Sequence, residues 1–320
     1  MPDIRDWKEI DADWLTAALR DGGVDAKVRS FEAGKVGTGQ IGDCVRFKLD
    51  YESAAPDAPK TLVGKFPAEG EESRATGIKL SNYLREVKFY QLLQPDARIS
   101  TPRCYFTDVN EDTHDFVLMM GDMAPAEQGD QLAGVTLDEA KLVLKEAAKL
   151  HSAYWEDDRL DEYDWVMGTT NAPDVLDPDM VAGLWDGFKA RYGDRVTPEA
   201  IRVGDGMSRN MDKFDESREG QRCLIHSDFR PDNMLFDLSN KDKPVTVVDW
   251  QSFGYGPGGA DVGYFIAGAI DPATRQANES ALVDLYLSEL DRLTERRRRT
   301  QPHRSRRELW LSHRVEWRAL

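Results

Sequence analysis

The stretch His226-Ser227-Asp228-Phe229-Arg230-Pro231-Asp232-Asn233 decides how this chain is read. It leaves a short apolar run, Cys223-Leu224-Ile225, and sets an amide, Asn233, five residues after a carboxylate, Asp228. Sixteen residues beyond Asn233, Asp249 follows the apolar pair Val247-Val248. Residues 234–248 read as two short strands joined by a polar turn at 237–243, a hairpin that returns Asn233 and Asp249 to the same end. Phosphoryl transfer from ATP to an alcohol needs one carboxylate to orient the hydroxyl and accept its proton. It also needs an amide and a second carboxylate to hold magnesium on the phosphates. Each of these groups is a hard oxygen ligand, as magnesium prefers.

Upstream, Gly37-Thr38-Gly39-Gln40-Ile41-Gly42 spells G-x-G-x-x-G. By itself this fits a dinucleotide site, a phosphate-covering loop or an ordinary turn. A dinucleotide fingerprint opens a helix, whereas here Val45, Phe47, Leu49 and Tyr51 alternate with Arg46, Lys48 and Asp50, the pattern of a half-buried strand. Residues 61–66 read as a second strand, carrying Lys65. Strand, loop and strand is the arrangement in which backbone amides cover ATP phosphates. A nicotinamide-type oxidoreductase is therefore the weaker alternative. Residues 78–94 read as one amphipathic helix, with Leu80, Leu84, Val87, Phe89, Tyr90 and Leu93 on its buried side and Glu86 along its length. Taken alone, Lys65 reads as a solvated strand lysine.

Farther out, residues 11–21 read as a short helix and residues 115–120 as a buried strand, followed by a Gly/Pro-containing linker at 121–130. Thr136 and Glu139 form a capping-box signature at the head of a helix running to Trp155, and another helix is expected over 179–191. A final helical group begins near Gly263. Strands come first and helices second, which predicts an α+β molecule of two segregated lobes: residues 1–122 as a sheet-containing N-lobe and 123–320 as a helical C-lobe.

Composition narrows the classes. A 40% hydrophobic fraction and a mean hydropathy of −0.58 fit a globular chain, with no apolar run of the ~20 residues that span a bilayer. The N-terminus lacks a signal-peptide pattern, so a cytoplasmic location is the expectation. Cys44, Cys104 and Cys223 are too scattered for a disulfide framework or zinc site. Net charge is −16, yet residues 296–320 hold nine arginines against Glu308 and Glu316. The remaining acidic body is expected to bind neither nucleic acid nor anionic membrane; it either favours a cationic substrate or simply keeps the surface soluble. The run Arg296–Arg299 reads as a solvated end of a helix or a docking arm.

The motifs in this order resemble the aminoglycoside-phosphotransferase and choline-kinase-like superfamily, nearest its ecdysteroid-kinase-like branch, from about residue 30 to about residue 290. The resemblance implies a protein-kinase-like bilobal fold. It implies ATP and Mg2+ as cofactors, Asp228 as catalytic base, and Asn233 and Asp249 as metal ligands. Gly37, Gly39 and Gly42 would cover the nucleotide phosphates; Lys65, paired with Glu86, would hold them. Residues 117–123 fall at the interlobe hinge, where Met120 and Asp122 are the candidate adenine contacts. Asp261 would brace the catalytic loop, as would His226. Arg230 stands where related enzymes contact the transferred phosphate, and either stabilises that charge or packs the loop. Only residues 250–260 separate Asp249 from Asp261, leaving no room for the peptide platform of protein kinases, so the expected partner is a small-molecule alcohol. The insert at about 156–220, with Trp165, Trp185, Phe188 and Tyr192, supplies either pocket wall or core. A nucleotide-binding scaffold without activity is the second alternative, disfavoured because every expected chemical residue is present; the superfamily usually continues with further helices, so the C-terminus is read as shortened or altered.

Overall fold

The computed structural model describes residues 2–37, 41–167, 178–211, 213 and 220–300; at Pro178 and 296–300 only the backbone is described. The C-terminal stretch 301–320, and with it the expectation of an altered terminus, lies outside the described residues.

Five antiparallel strands form the N-terminal sheet: β1 (Ala26–Val36), β2 (Gly42–Ala54), β3 (Thr61–Pro67), β4 (Cys104–Val109) and β5 (Phe116–Gly121), in the order β1-β2-β3-β5-β4. β1 and β2 are a hairpin whose loop contains the glycine-rich segment, with Val36 opposite Cys44. Strand after glycines, rather than helix, is what the alternation predicted. β3 and β5 are interior, and β5 is buried on both faces. Val117 and Met119 pack with Trp14, Leu15 and Leu19 of helix α1 (Ala12–Asp21), whereas Phe116, Leu118 and Met120 join the other core. A strand wetted on neither face has no reason to alternate, which explains its continuous apolar sequence.

The helix expected over 78–94 is interrupted. α2 (Glu71–Lys79) ends before Ser81, which takes a left-handed φ of 55°, and α3 (Asn82–Lys88) runs on into a wider turn at Phe89–Leu93. The break turns Tyr83 inward: its hydroxyl accepts from Ala68 N and donates to Ile41 O. Gly77 makes room for that ring, since a Cβ there would lie 2.5 Å from Tyr83 Cζ. Leu80, assigned to the buried side, is consequently exposed.

A two-residue strand, β6 (Glu127–Gln128), leads into α4 (Leu137–Ala153), where Thr136 and Glu139 make both bonds of the capping box. α5 (Pro178–Tyr192) and α6 (Pro198–Ser208) pack on each other, with Trp185 stacked on Phe188. β7 (Cys223–Ile225), β8 (Met234–Phe236), β9 (Val245–Val247) and β10 (Gly254–Gly256) are short. β8 and β9 form the expected hairpin, Met234 opposite Val247, and β10 pairs with β7. α7 (Gly259–Ala269) and α8 (Pro272–Thr300) complete the helical lobe, α8 lying along α4. The fold is α+β and kinase-like, a sheet lobe on a helical lobe. Among the described residues no helix is long and apolar enough to cross a membrane.

Candidate functional site

Lys65 sits on interior strand β3 with its side chain buried beneath the glycine hairpin. An unpaired ammonium there would be strongly unfavourable. Two carboxylates resolve it: Glu86 Oε2 lies 2.6 Å from Lys65 Nζ, and Asp249 Oδ1 lies 2.8 Å from it. Burial pushes the Lys65 pKa down, but Asp249 and then Glu86 outweigh it, and the ammonium is held well above its ordinary value. Asp249 feels burial upward, yet Lys65 holds its carboxyl below the usual carboxylate range. Glu86 is the deeper acid, and one ammonium does not fully compensate two acids. Burial therefore leaves Glu86 raised.

The loop after β7 is fixed by Asp261, buried at the head of α7. Its carboxylate accepts from His226 N at 2.7 Å and Ser227 N at 2.9 Å, and also meets His151 Nε2 at 3.2 Å. His151 Nδ1 in turn contacts the Tyr286 hydroxyl at 2.8 Å. Ser227, with φ 67°, and Asp249, with φ 66°, both hold the left-handed conformation that side chains disfavour. Such strain persists only where surrounding bonds fix it. His226 Nε2 lies 3.0 Å from Val248 O, and its Nδ1 accepts from Asp228 N at 3.3 Å. The ring thus ties the Asp228 loop to the strand leading to Asp249, a bracing contact.

Asn233 donates Nδ2 to both Asp228 O at 2.9 Å and Asp228 Oδ2 at 2.8 Å, which turns its amide oxygen the other way. Its own carbonyl accepts from Val248 N at 3.0 Å, so the β8–β9 hairpin sets Asn233 beside Asp249. Among the described residues no group of three or more His, Cys, Asp or Glu side chains is arranged to hold an ion by itself. Asn233 and Asp249 are hard oxygen donors of the kind that would hold a magnesium ion, which would need water and phosphate oxygens for its other ligands. The orphaned, buried Oε1 of Gln251, whose Nε2 reaches Asp249 Oδ2 at 3.3 Å, adds a further free oxygen near that pair.

Arg230 is engaged. Nε lies 3.0 Å from Asp228 Oδ1, and Nη1 reaches Asp232 Oδ2 at 2.6 Å and Gln131 Oε1 at 3.3 Å. Burial lowers its pKa, but Asp228 outweighs burial and the guanidinium is raised. Gly37 closes β1 at φ 74°, and at Gly42 a Cβ would lie 3.1 Å from Phe66 O and 3.2 Å from Lys65 Cε, so the hairpin lies directly over the lysine. Gly39 lies outside the described residues. Met120 is buried in β5. The Asp122 carboxylate pairs with Arg46 at 2.7 Å and accepts from Ala124 N at 3.1 Å, so its side chain is committed to the end of the sheet. Of the residues marked in the sequence, Lys65, Glu86 and Asp249 are linked by contacts, and Asn233, Asp228 and Arg230 form a second linked set. Tyr264 and Gln131 were not marked. Tyr264 follows Asp261 by one helical turn on α7, and that spacing is the signal that could have found it.

A family model described as the phosphotransferase enzyme family (APH) matches residues 74–299. Among solved structures, the GDP and kanamycin complex of APH(2")-IIia is 14% identical over 91% of this chain and 94% of that one, with a TM-score of 0.50. The gentamicin complex of APH(2")-IIa is 17% identical over 92% and 87%, with a TM-score of 0.49. A choline kinase from Cryptosporidium parvum Iowa II is 11% identical over 92% and 76%, with a TM-score of 0.49. The first of these likenesses shows a common fold. No curated protein matches the chain.

Proposed function

The chain belongs to the phosphotransferase enzyme family, and from that premise we propose that it moves the γ-phosphoryl group of ATP to a hydroxyl of a small molecule, with Asp228 as the base. The observation that carries the reading is the Lys65 ammonium, shared between Glu86 at 2.6 Å and Asp249 at 2.8 Å beneath the glycine hairpin. A lysine so placed holds nucleotide phosphates, and Glu86 keeps it aimed. Magnesium, when held by Asn233 and Asp249, would neutralise charge on the phosphates.

Asp228 does the proton work. Asn233 holds its Oδ2, which leaves Oδ1 to orient the acceptor hydroxyl and take its proton. As the acceptor oxygen bonds to the γ-phosphorus, the bond from phosphorus to the departing ADP oxygen breaks. Arg230, now on Asp228 Oδ1, is within a side-chain rotation of that chemistry and would shift toward the charge on the moving group. Placement in the ecdysteroid-kinase-like branch, a lobe boundary near residue 122, and backbone recognition of adenine around Met120 and Asp122 belong to the same reading.

Thermal unfolding with and without Mg·ATP tests it, on wild type and Asp249→Asn. A ligand at 100 times its dissociation constant adds about 2.7 kcal/mol and raises the midpoint by several degrees. The shift is expected in wild type and not in the variant, followed by ADP release on a panel of alcohols. A wild type indifferent to Mg·ATP would sink the proposal.

A further inference from the structure

Asp228 presents its two oxygens unequally. Oδ2 is held by Asn233 at 2.8 Å, whereas Oδ1 meets Arg230 Nε at 3.0 Å and the Tyr264 hydroxyl at 3.5 Å. The tyrosine contact is the longest of the three and sits at the outer limit of a hydrogen bond, so it is the one an incoming hydroxyl displaces most easily.

Tyr264 stands on α7 three residues after Asp261 and four before Gly268, so the three share one helix face. Asp261 fixes that face to the backbone of the catalytic loop. At Gly268 a Cβ would lie 2.9 Å from Gln131 Nε2, which brings residues 130–134 against the same face. Gln131 also accepts from Arg230 and takes Asp232 Oδ1 on its backbone N–H at 3.0 Å. The base therefore lies between α7 on one side and the loop on the other.

What these two flanks expose is carbon. Tyr264 is 46% exposed and Leu132, at the tip of the loop, is 98% exposed. Core packing does not account for a half-exposed phenol aimed at a carboxylate. Before phosphate arrives, Arg230 bridges Asp228 and Asp232 at 3.0 and 2.6 Å, so those charges pair with one another rather than with the phenol's exposed face. Burial and then the neighbouring Asp228 raise the phenol above its ordinary pKa, so it remains a protonated donor.

Resting on the phosphotransfer reading above, we propose that Tyr264 marks the acceptor subsite. Its hydroxyl holds, on Asp228 Oδ1, the place that the acceptor hydroxyl takes, and its ring is the surface on which the acceptor's carbon skeleton lies. The acceptor is then an alcohol with a broad apolar flank, recognised through carbon more than through charge.

The test uses water as the acceptor, with the full chain and Mg·ATP alone. Tyr264 shields the base from water, so Tyr264→Ala should raise acceptor-independent ADP release about threefold or more, with KM for ATP and the melting midpoint unchanged. Tyr264→Phe, which keeps the ring, should fall between it and wild type, and Asp228→Asn should abolish the release. Cyclohexanol should quench wild-type hydrolysis more strongly than choline does, and Tyr264→Ala should erase that difference. Hydrolysis that is unchanged, reduced or undetectable in Tyr264→Ala, in a protein whose midpoint still rises with Mg·ATP, overturns the inference and leaves the phosphotransfer reading standing. Equal quenching by choline overturns the apolar acceptor. Absence of both hydrolysis and a Mg·ATP shift overturns the phosphotransfer reading, and the inference with it.

Discussion

Lys65 Nζ stands 2.8 Å from Asp249 Oδ1, although 184 residues separate them in the chain. This contact joins the sheet lobe to the loop that follows β9, and Glu86 adds a helix to the same ammonium. On the proposed function, nucleotide binding and the joining of the two lobes would depend on one group of three charges.

Removing the cation should hurt both. Lys65→Met leaves two carboxylates facing each other out of water and should lower unfolding stability by about 3 kcal/mol. Lys65→Met with Glu86→Gln should recover part of that loss, because one uncompensated acid is gone. Urea unfolding of the two variants measures the difference; equal stabilities would mean that Glu86 does not depend on the lysine.

Glu86 also predicts a pH dependence. Its pKa is raised by burial, so its contribution to stability is fully present below the unfolded value of about 4.3 and is lost as pH rises through the raised folded value. Asp249, held below the usual range by Lys65, runs oppositely: its contribution is present above the unfolded value and is lost as pH falls through the lowered one. Wild type should therefore lose stability relative to Glu86→Gln as pH rises from about 4 into the neutral range. Unfolding free energies at closely spaced pH values give that difference, and a flat line would contradict it.

Asp261→Asn should loosen the catalytic loop without touching nucleotide. The amide has one acceptor oxygen for the two N–H groups that the carboxylate now satisfies at 2.7 and 2.9 Å. Leaving a buried donor unmatched costs about 1–3 kcal/mol. The expected signature is a lower melting midpoint and a reduced kcat with KM for ATP nearly unchanged, read by steady-state kinetics at saturating magnesium.

Asn233→Ala removes both the bond to Asp228 Oδ2 and an oxygen from the proposed metal pair. Turnover should fall about a hundredfold or more, and the magnesium concentration for half-maximal activity should rise. Titration of activity with magnesium separates the two effects. A loss of kcat at unchanged magnesium dependence would assign Asn233 to positioning the base alone.

These residues differ in how plainly the sequence declared them. The hairpin from Asn233 to Asp249 was legible because two short apolar runs flank a polar turn. β2 was legible because its side chains alternate, and β3 because it is a short apolar run after a polar turn. β1 and β4 left no such mark. They are the two edge strands, and the mixed polar content of Ala26–Val36 reflects a strand largely wetted by solvent. The break at Ser81 was hidden because helical periodicity continues across it, while its cause, the inward turn of Tyr83, is tertiary. Arg230 was legible as a site residue but not as a partner of Asp228, because a two-residue spacing says nothing about where a long side chain folds. Tyr264 depended on knowing that α7 packs its Asp261 face on the catalytic loop.

β10 is three residues long, yet it lies buried against β7, and Tyr255 N donates to Met167 O at 2.7 Å. The segment that follows Asp249 is thereby stitched into the interior through β10 rather than draped over the surface. A covalent mark on Tyr255, which is buried in that pairing, would first have to unpick it.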